Sequence, residues 1–170
     1  MNGGNAMDGV NTPTGSDPQY DRLTQEVIQL LIIAAERLRQ HFGACAAEFD
    51  LSAAQAKVLL EVQPGEAVPM RALAARLGYD ASNLTGLVDR LEERGVLARC
   101  PHSADRRVKG LALTEDGQRL RATLWDRLIR NGGPVSALAA AQMQALRDLL
   151  RAAVGPEERP WIAPGTCTNG

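Results

Sequence analysis

The run Ser82-Asn83-Leu84-Thr85-Gly86-Leu87-Val88-Asp89-Arg90 alternates short hydrogen-bonding groups with aliphatic ones at helical spacing. Ser82, Asn83 and Thr85 carry donors and acceptors close to the backbone. Arg90 adds a cationic fork, and Gly86 permits close approach. Leu84, Leu87, Val88 and Leu91 fall on the opposite stripe. A helix divided in this way buries one face and offers the other to a partner, and its polar N-terminal end suits a DNA major groove. Asp105-Arg106-Arg107 is a second cluster. Arginine is favoured in a narrow minor groove, where the negative potential is strongest. Arg71 and Arg76 are candidate phosphate contacts. The plainer alternatives are helix capping for Asn83 and Thr85, and solvated turn positions for Arg106 and Arg107. Asp89 is better paired with a nearby arginine than set against phosphate.

Other chemistry finds less support. Cys45, Cys100 and Cys167 are widely spaced, odd in number and without a CxxC pair, so neither a disulfide framework nor a zinc site is indicated. His41 and His102 lack clustered acidic partners. There is no phosphate-cradling glycine loop and no nucleophile–base constellation. No enzyme activity and no cofactor are expected.

The elements that must hold these residues follow from hydrophobic period and punctuation. Leu23, Val27, Leu30, Leu31, Ala34, Leu38 and Phe42 form one stripe on a long helix, with Gly43 expected to end it. Ile32 and Ile33 lie partly off that stripe and widen the apolar surface. Ser52 and Gln55 form a capping box for a second helix to about Val62, broken by Pro64-Gly65. Met70–Leu77, the turn Gly78-Tyr79-Asp80 and Ala81–Arg94 have helix-turn-helix spacing, with Ala74 small at the crossing and Gly78 supplying positive φ. Asp80 or Ser82 caps the second of these helices. Val96–Cys100 and Arg107–Leu113 read as strands of a hairpin, with Asp105, Arg106 and Arg107 at its tip. Thr114 caps a helix through Leu128, and Ser136 is expected to start a last helix to about Val154.

Charge sharpens the picture. The 170 residues carry a net charge of −1. Between Arg71 and Lys109 there are eight basic and five acidic residues, a local excess of +3, and the remainder carries −4. The hairpin-bearing segment is therefore the basic part, which fits contact with phosphates. No apolar run approaches a membrane span, and Met1–Tyr20 does not resemble a signal peptide, so a cytoplasmic location is expected. The fold class is mainly α with a small β-hairpin wing. Residues 1–18 are expected to form a disordered tail, 19–154 one domain, and 155–170 a proline-rich tail whose Trp161 and Ile162 pack back onto the body or onto a partner chain.

The segment Met70–Gly117 resembles the MarR family of bacterial transcriptional regulators. The match rests on Ser82–Gly95, then Asp105-Arg106-Arg107, then Leu113-Thr114-Glu115-Asp116-Gly117. The helix order over Asp21–Val154 also resembles the family. That likeness implies a winged helix-turn-helix at about 51–113 and a helical dimerisation base from about 21–42 and 115–154. It implies a homodimer on a pseudo-palindromic double-stranded operator. The family's recognition-helix positions fall on Ser82, Asn83, Thr85, Gly86 and Arg90, and its wing pair on Asp105 and Arg107. Family variants with a basic residue after the threonine differ from this chain, which has Gly86, so base contact shifts to Asn83, Thr85 and Arg90. The likeness further implies a repressor released by a small aromatic or apolar, anionic effector. Leu38, His41, Val62 and Trp125 mark the candidate walls, the second helix contributing over Gln55–Val62. Two alternatives stand beside this reading. One is a thiol-based redox sensor using Cys45 or Cys100, although thiol sensors of the family carry their reactive cysteine near the position of Tyr20–Leu23. The other is a winged-helix protein-interaction module without specific DNA binding.

Overall fold

The computed structural model describes residues 17–101 and 109–155. The hairpin tip with Asp105, Arg106 and Arg107, His102 and both tails lie outside the described residues. The described elements are α1 (Pro18–Ala47), α2 (Ala53–Glu61), β1 (Val68–Pro69), α3 (Met70–Leu77), α4 (Ala81–Glu93), β2 (Leu97–Pro101), β3 (Lys109–Leu113), α5 (Glu115–Asn131), a 3₁₀ turn (Gly133–Val135) and α6 (Ala140–Val154). Among the described residues no helix is long and apolar enough to cross a membrane.

The chain divides into two units, Met1–Glu36 and Arg37–Gly170. In the first, α1 exposes apolar side chains around its circumference: Leu23 is 57% exposed, Val27 45% and Ile32 64%. Ile32 and Ile33 are as open as the predicted stripe. The second unit holds the core, in which Leu59, Leu60, Leu73, Leu84, Leu91, Leu111 and Leu124 are fully buried. Burying one such side chain contributes about 1.5–3 kcal/mol, so the leucine stripe of α4 fixes that helix firmly.

Gly43 does not end α1. It stays helical, and the helix runs to Ala47. The turn comes later, at Asp50 with φ 53°, where Leu51 N–H returns to the Ala46 carbonyl at 3.1 Å. Arg94 secures this corner by donating to the Phe49 carbonyl at 2.7 Å and the Asp50 carbonyl at 2.9 Å. The capping box at Ser52 is present, with Gln55 N–H on the Ser52 hydroxyl at 3.2 Å and Ser52 N–H on the Gln55 side chain at 2.8 Å.

The sheet has three antiparallel strands in the order β1-β3-β2. Leu97 pairs with Leu113 and Pro101 with Lys109. Sequence reasoning missed β1, whose two residues pair with Leu111 and Gly110. A two-residue strand containing proline has no periodicity to detect. The signal was Gly110, where an added Cβ would sit 3.1 Å from that of Ala67. The last helix also starts later than expected. Ser136 closes the 3₁₀ turn by donating to the Gly133 carbonyl at 2.8 Å, and Gln142 reaches back to Ala139 N–H at 2.9 Å to start α6.

Candidate nucleic-acid interface

α3 and α4 meet through Gly78, which adopts φ 66°. Tyr79 N–H then bonds the Ala74 carbonyl at 3.0 Å, which closes the turn. Asp80 caps α4 by accepting from Asn83 N–H at 2.7 Å. Its carboxylate also accepts from the Ser82 hydroxyl at 2.7 Å. These bonds, the Asn83 backbone first, hold the Asp80 carboxyl below its ordinary value.

Leu84, Leu87, Val88 and Leu91 face inward, while Ser82, Asn83, Thr85, Gly86 and Arg90 are exposed. The hydroxyl protons of Ser82 and Thr85 are engaged locally, the latter on the Ala81 carbonyl at 2.7 Å. Both oxygens keep outward lone pairs for acceptance. A Cβ added at Gly86 would meet nothing within 4 Å, so the helix surface there is open.

Arg71 is exposed on α3. Arg76 stands 3.6 Å from the carboxylate of Glu61, which is buried on α2. Among the described residues Glu61 Oε2 has no hydrogen-bond partner. Burial pushes this carboxyl above its ordinary value, against the pull of Arg76 and Arg121. Arg121 itself donates to the Leu60 carbonyl and the Gln63 side chain, tying α5 to α2.

The partner expected for Asp89 is Arg99 on β2, at 2.6 Å. Arg99 also pairs with Glu92. Sequence reasoning passed over Arg99, Glu92 and Arg94. The i, i+3 spacing of Asp89 and Glu92 was the available clue.

The residues named as effector walls are dispersed in burial. Leu38 is 43% exposed and Val62 fully buried in the core. His41 and Trp125 are half-buried, and His41 Nε2 lies 3.4 Å from the Leu128 carbonyl on α5. Cys45 Sγ lies 3.7 Å from His41 Nε2. Burial and then Glu48 push the Cys45 thiol up, which disfavours the reactive thiolate. Cys100 is half-buried in β2.

A sequence profile of the MarR family matches residues 49–108, from just before α2 to the hairpin. CouR from Rhodococcus jostii RHA1, whose crystal structure is bound to p-coumaroyl-CoA, is similar at 30% identity and a TM-score of 0.67. The match covers 81% of this chain and 98% of CouR. BpsR of Bordetella bronchiseptica, described as regulated in its DNA binding by 6-hydroxynicotinic acid, is 26% identical with a TM-score of 0.60. That match covers 77% of this chain and 94% of BpsR. Among curated relatives, the HTH-type transcriptional regulator TtmR of Methylorubrum extorquens is 28% identical, over 89% of this chain and 80% of TtmR. The uncharacterized HTH-type transcriptional regulator YfiV of Bacillus subtilis is 32% identical over 47% of this chain, and the match spans only 50% of YfiV.

Proposed function

Because the chain belongs to the MarR family of DNA-binding transcriptional regulators, we propose that it is a homodimeric cytoplasmic repressor of a pseudo-palindromic operator, released by a small aromatic or apolar effector. The observation that carries the DNA reading is α4. Four buried aliphatic side chains anchor it, and its other face presents Ser82, Asn83, Thr85, Gly86 and Arg90 to solvent. Asn83 and Thr85 offer hydrogen bonds to base edges, and Arg90 a fork for guanine or phosphate. Arg71 reaches phosphate, and Arg76 does so at the cost of its contact with Glu61. Asp105, Arg106 and Arg107 belong to the wing, with Arg107 in the minor groove.

The dimer reading is supported by apolar surface that one protomer leaves open. α1 exposes Leu23, Val27, Ile28, Leu30 and Leu31, and α6 buries none of its residues. Surfaces of this kind mark association sites. Two wings and two recognition helices then meet successive turns of one duplex. The effector reading is supported by the aromatic compounds named with CouR and BpsR. Leu38, His41 and Trp125 remain its candidate walls, while Val62 is fully buried in the core. The effector favours a dimer whose recognition helices are wrongly spaced for DNA.

The test is fluorescence anisotropy on a duplex from the region upstream of the chain's own coding sequence, against a scrambled duplex. Expected is a preference of at least about a thousandfold. Arg90→Ala, Asn83→Ala and Arg107→Ala should each weaken binding about tenfold, the cost of one good contact. Wild-type binding no tighter than to the scrambled duplex would overturn the operator reading. Sedimentation showing a monomer at micromolar concentration would overturn the dimer.

A further inference from the structure

We infer that Arg99 is a positioning residue, which locks the β2–β3 hairpin to the recognition helix and neutralises the two carboxylates bordering its DNA-facing side. The inference rests on the DNA reading above. In the sheet order β1-β3-β2, β2 is an edge strand. An edge strand points alternate N–H groups away from its neighbour, with no strand to receive them. The outward N–H of Arg99 is received instead by Glu92 Oε1 of α4, at 3.0 Å. The Arg99 guanidinium then closes on the other oxygen of Glu92 and on Asp89 Oδ1 at 2.6 Å. One residue of the hairpin thus grips two carboxylates, one helical turn apart, through both main chain and side chain.

Position gives the grip its function. Asp89, half-buried, lies one turn further along the helical stripe that begins at exposed Ser82 and passes exposed Gly86. Unpaired, it would set negative charge toward phosphates. With Arg99 across Asp89 and Glu92 that corner carries a net charge of about −1 rather than −2. The pairs are partly exposed, the side chains of Arg99, Asp89 and Glu92 keeping 34%, 47% and 23% of their surface, so their contribution to global stability is small. The effect belongs to orientation: the hairpin and α4 must meet one duplex together.

The experiment turns on sign. Removing Asp89 and Glu92 charge should tighten DNA binding if those groups act only through Coulomb repulsion. The positioning role demands the opposite. The double variant D89N/E92Q should bind the upstream duplex about tenfold more weakly than wild type, with an unchanged salt slope. R99A should weaken it further, and R99K should recover part of the loss. A merely structural role would not alter sequence discrimination. R99A and D89N/E92Q should lose discrimination at base pairs flanking the half-sites while keeping it within them. Hydrogen exchange should quicken at residues 97–101 and 109–113 but not in α2. D89N/E92Q binding as tightly as wild type, or more tightly, overturns the proposal. So does R99A weakening with flank discrimination intact, which makes Arg99 a simple phosphate contact. Wild-type protein with no preference for the duplex overturns the DNA reading and this role with it, and the exchange data then report packing alone.

Discussion

Gly117→Ala should be among the costliest single-methyl changes in the chain. Gly117 is buried in the first turn of α5. A Cβ built there would lie 1.9 Å from the Val96 carbonyl oxygen and 2.9 Å from its carbon. A carbon and an oxygen normally stay about 3.3 Å apart, so α5 and the start of β2 must separate by roughly 1.4 Å. The two closest atoms are backbone and cannot yield as a side-chain tip could; the Leu113 Cδ2 methyl, at 3.3 Å, is not the obstacle. Thr114 also stitches the two elements together, donating its N–H to the Val96 carbonyl at 3.3 Å and its hydroxyl to the Gly95 carbonyl at 2.7 Å. Those bonds are worth about 1 kcal/mol each and are lost or stretched by the shift. Overpacking itself costs about 1–3 kcal/mol. The expected loss is about 3–4 kcal/mol, or a thermal midpoint lowered by on the order of 10 °C. Urea denaturation and calorimetry at one fixed protomer concentration measure it. A loss below about 1 kcal/mol would show that α5 can slide along the hairpin, and would refute the reasoning from this contact.

Three further outcomes follow from the same geometry. Gly86→Ala has the opposite sign: with open space around the Cβ and a helical backbone, the folded chain should gain about 0.5–1 kcal/mol, and a destabilised variant would contradict that environment. Glu61→Gln tests burial of charge by pH. Because Glu61 holds its proton more tightly folded than unfolded, wild-type stability contains a part that is full at low pH and lost as pH rises through the raised folded value. The variant should therefore gain on wild type in denaturation midpoint between about pH 4 and pH 7, and a difference that is flat or moves toward wild type would sink the assignment. Ser52→Ala removes the cap of α2 and should cost about 1 kcal/mol by urea denaturation, whereas no loss would mean that water serves that N–H equally well.

Much of the fold was legible because its signals are local. Ser52, Asp80 and Thr114 each cap the helix they precede, and each is the kind of side chain that does so. Gly78 and the α4 leucine stripe fix the helix-turn-helix by spacing alone. What escaped the sequence is what depends on distant partners. Gly43 looked like a stop, but a helix continues through glycine when the following residues Cys45 and Ala46 are buried. β1 exists only because β3 offers an edge to it. In the candidate site, the exposed face of α4 could be read in advance from period. That Asp89 pairs with an arginine was expected too, but that the arginine is Arg99, shared with Glu92, was not, since this needs the hairpin folded back beside the helix. Ser136 misled for a related reason: a hydroxyl that caps helices also closes turns, and the nearby Gly132-Gly133 favoured the turn.

The bareness of α6 bears on how long each molecule survives. None of its 15 residues is fully buried within the protomer, Leu146 alone being half-buried, and a helix of that length is marginal in water when left alone. In the dimer proposed above a second subunit would cover it, so an unpaired chain would offer a frayed end to proteases while a paired one would not. Turnover would then fall most heavily on subunits without partners. The supply of regulator would be trimmed toward the assembled form, with no device for doing so beyond one uncovered helix.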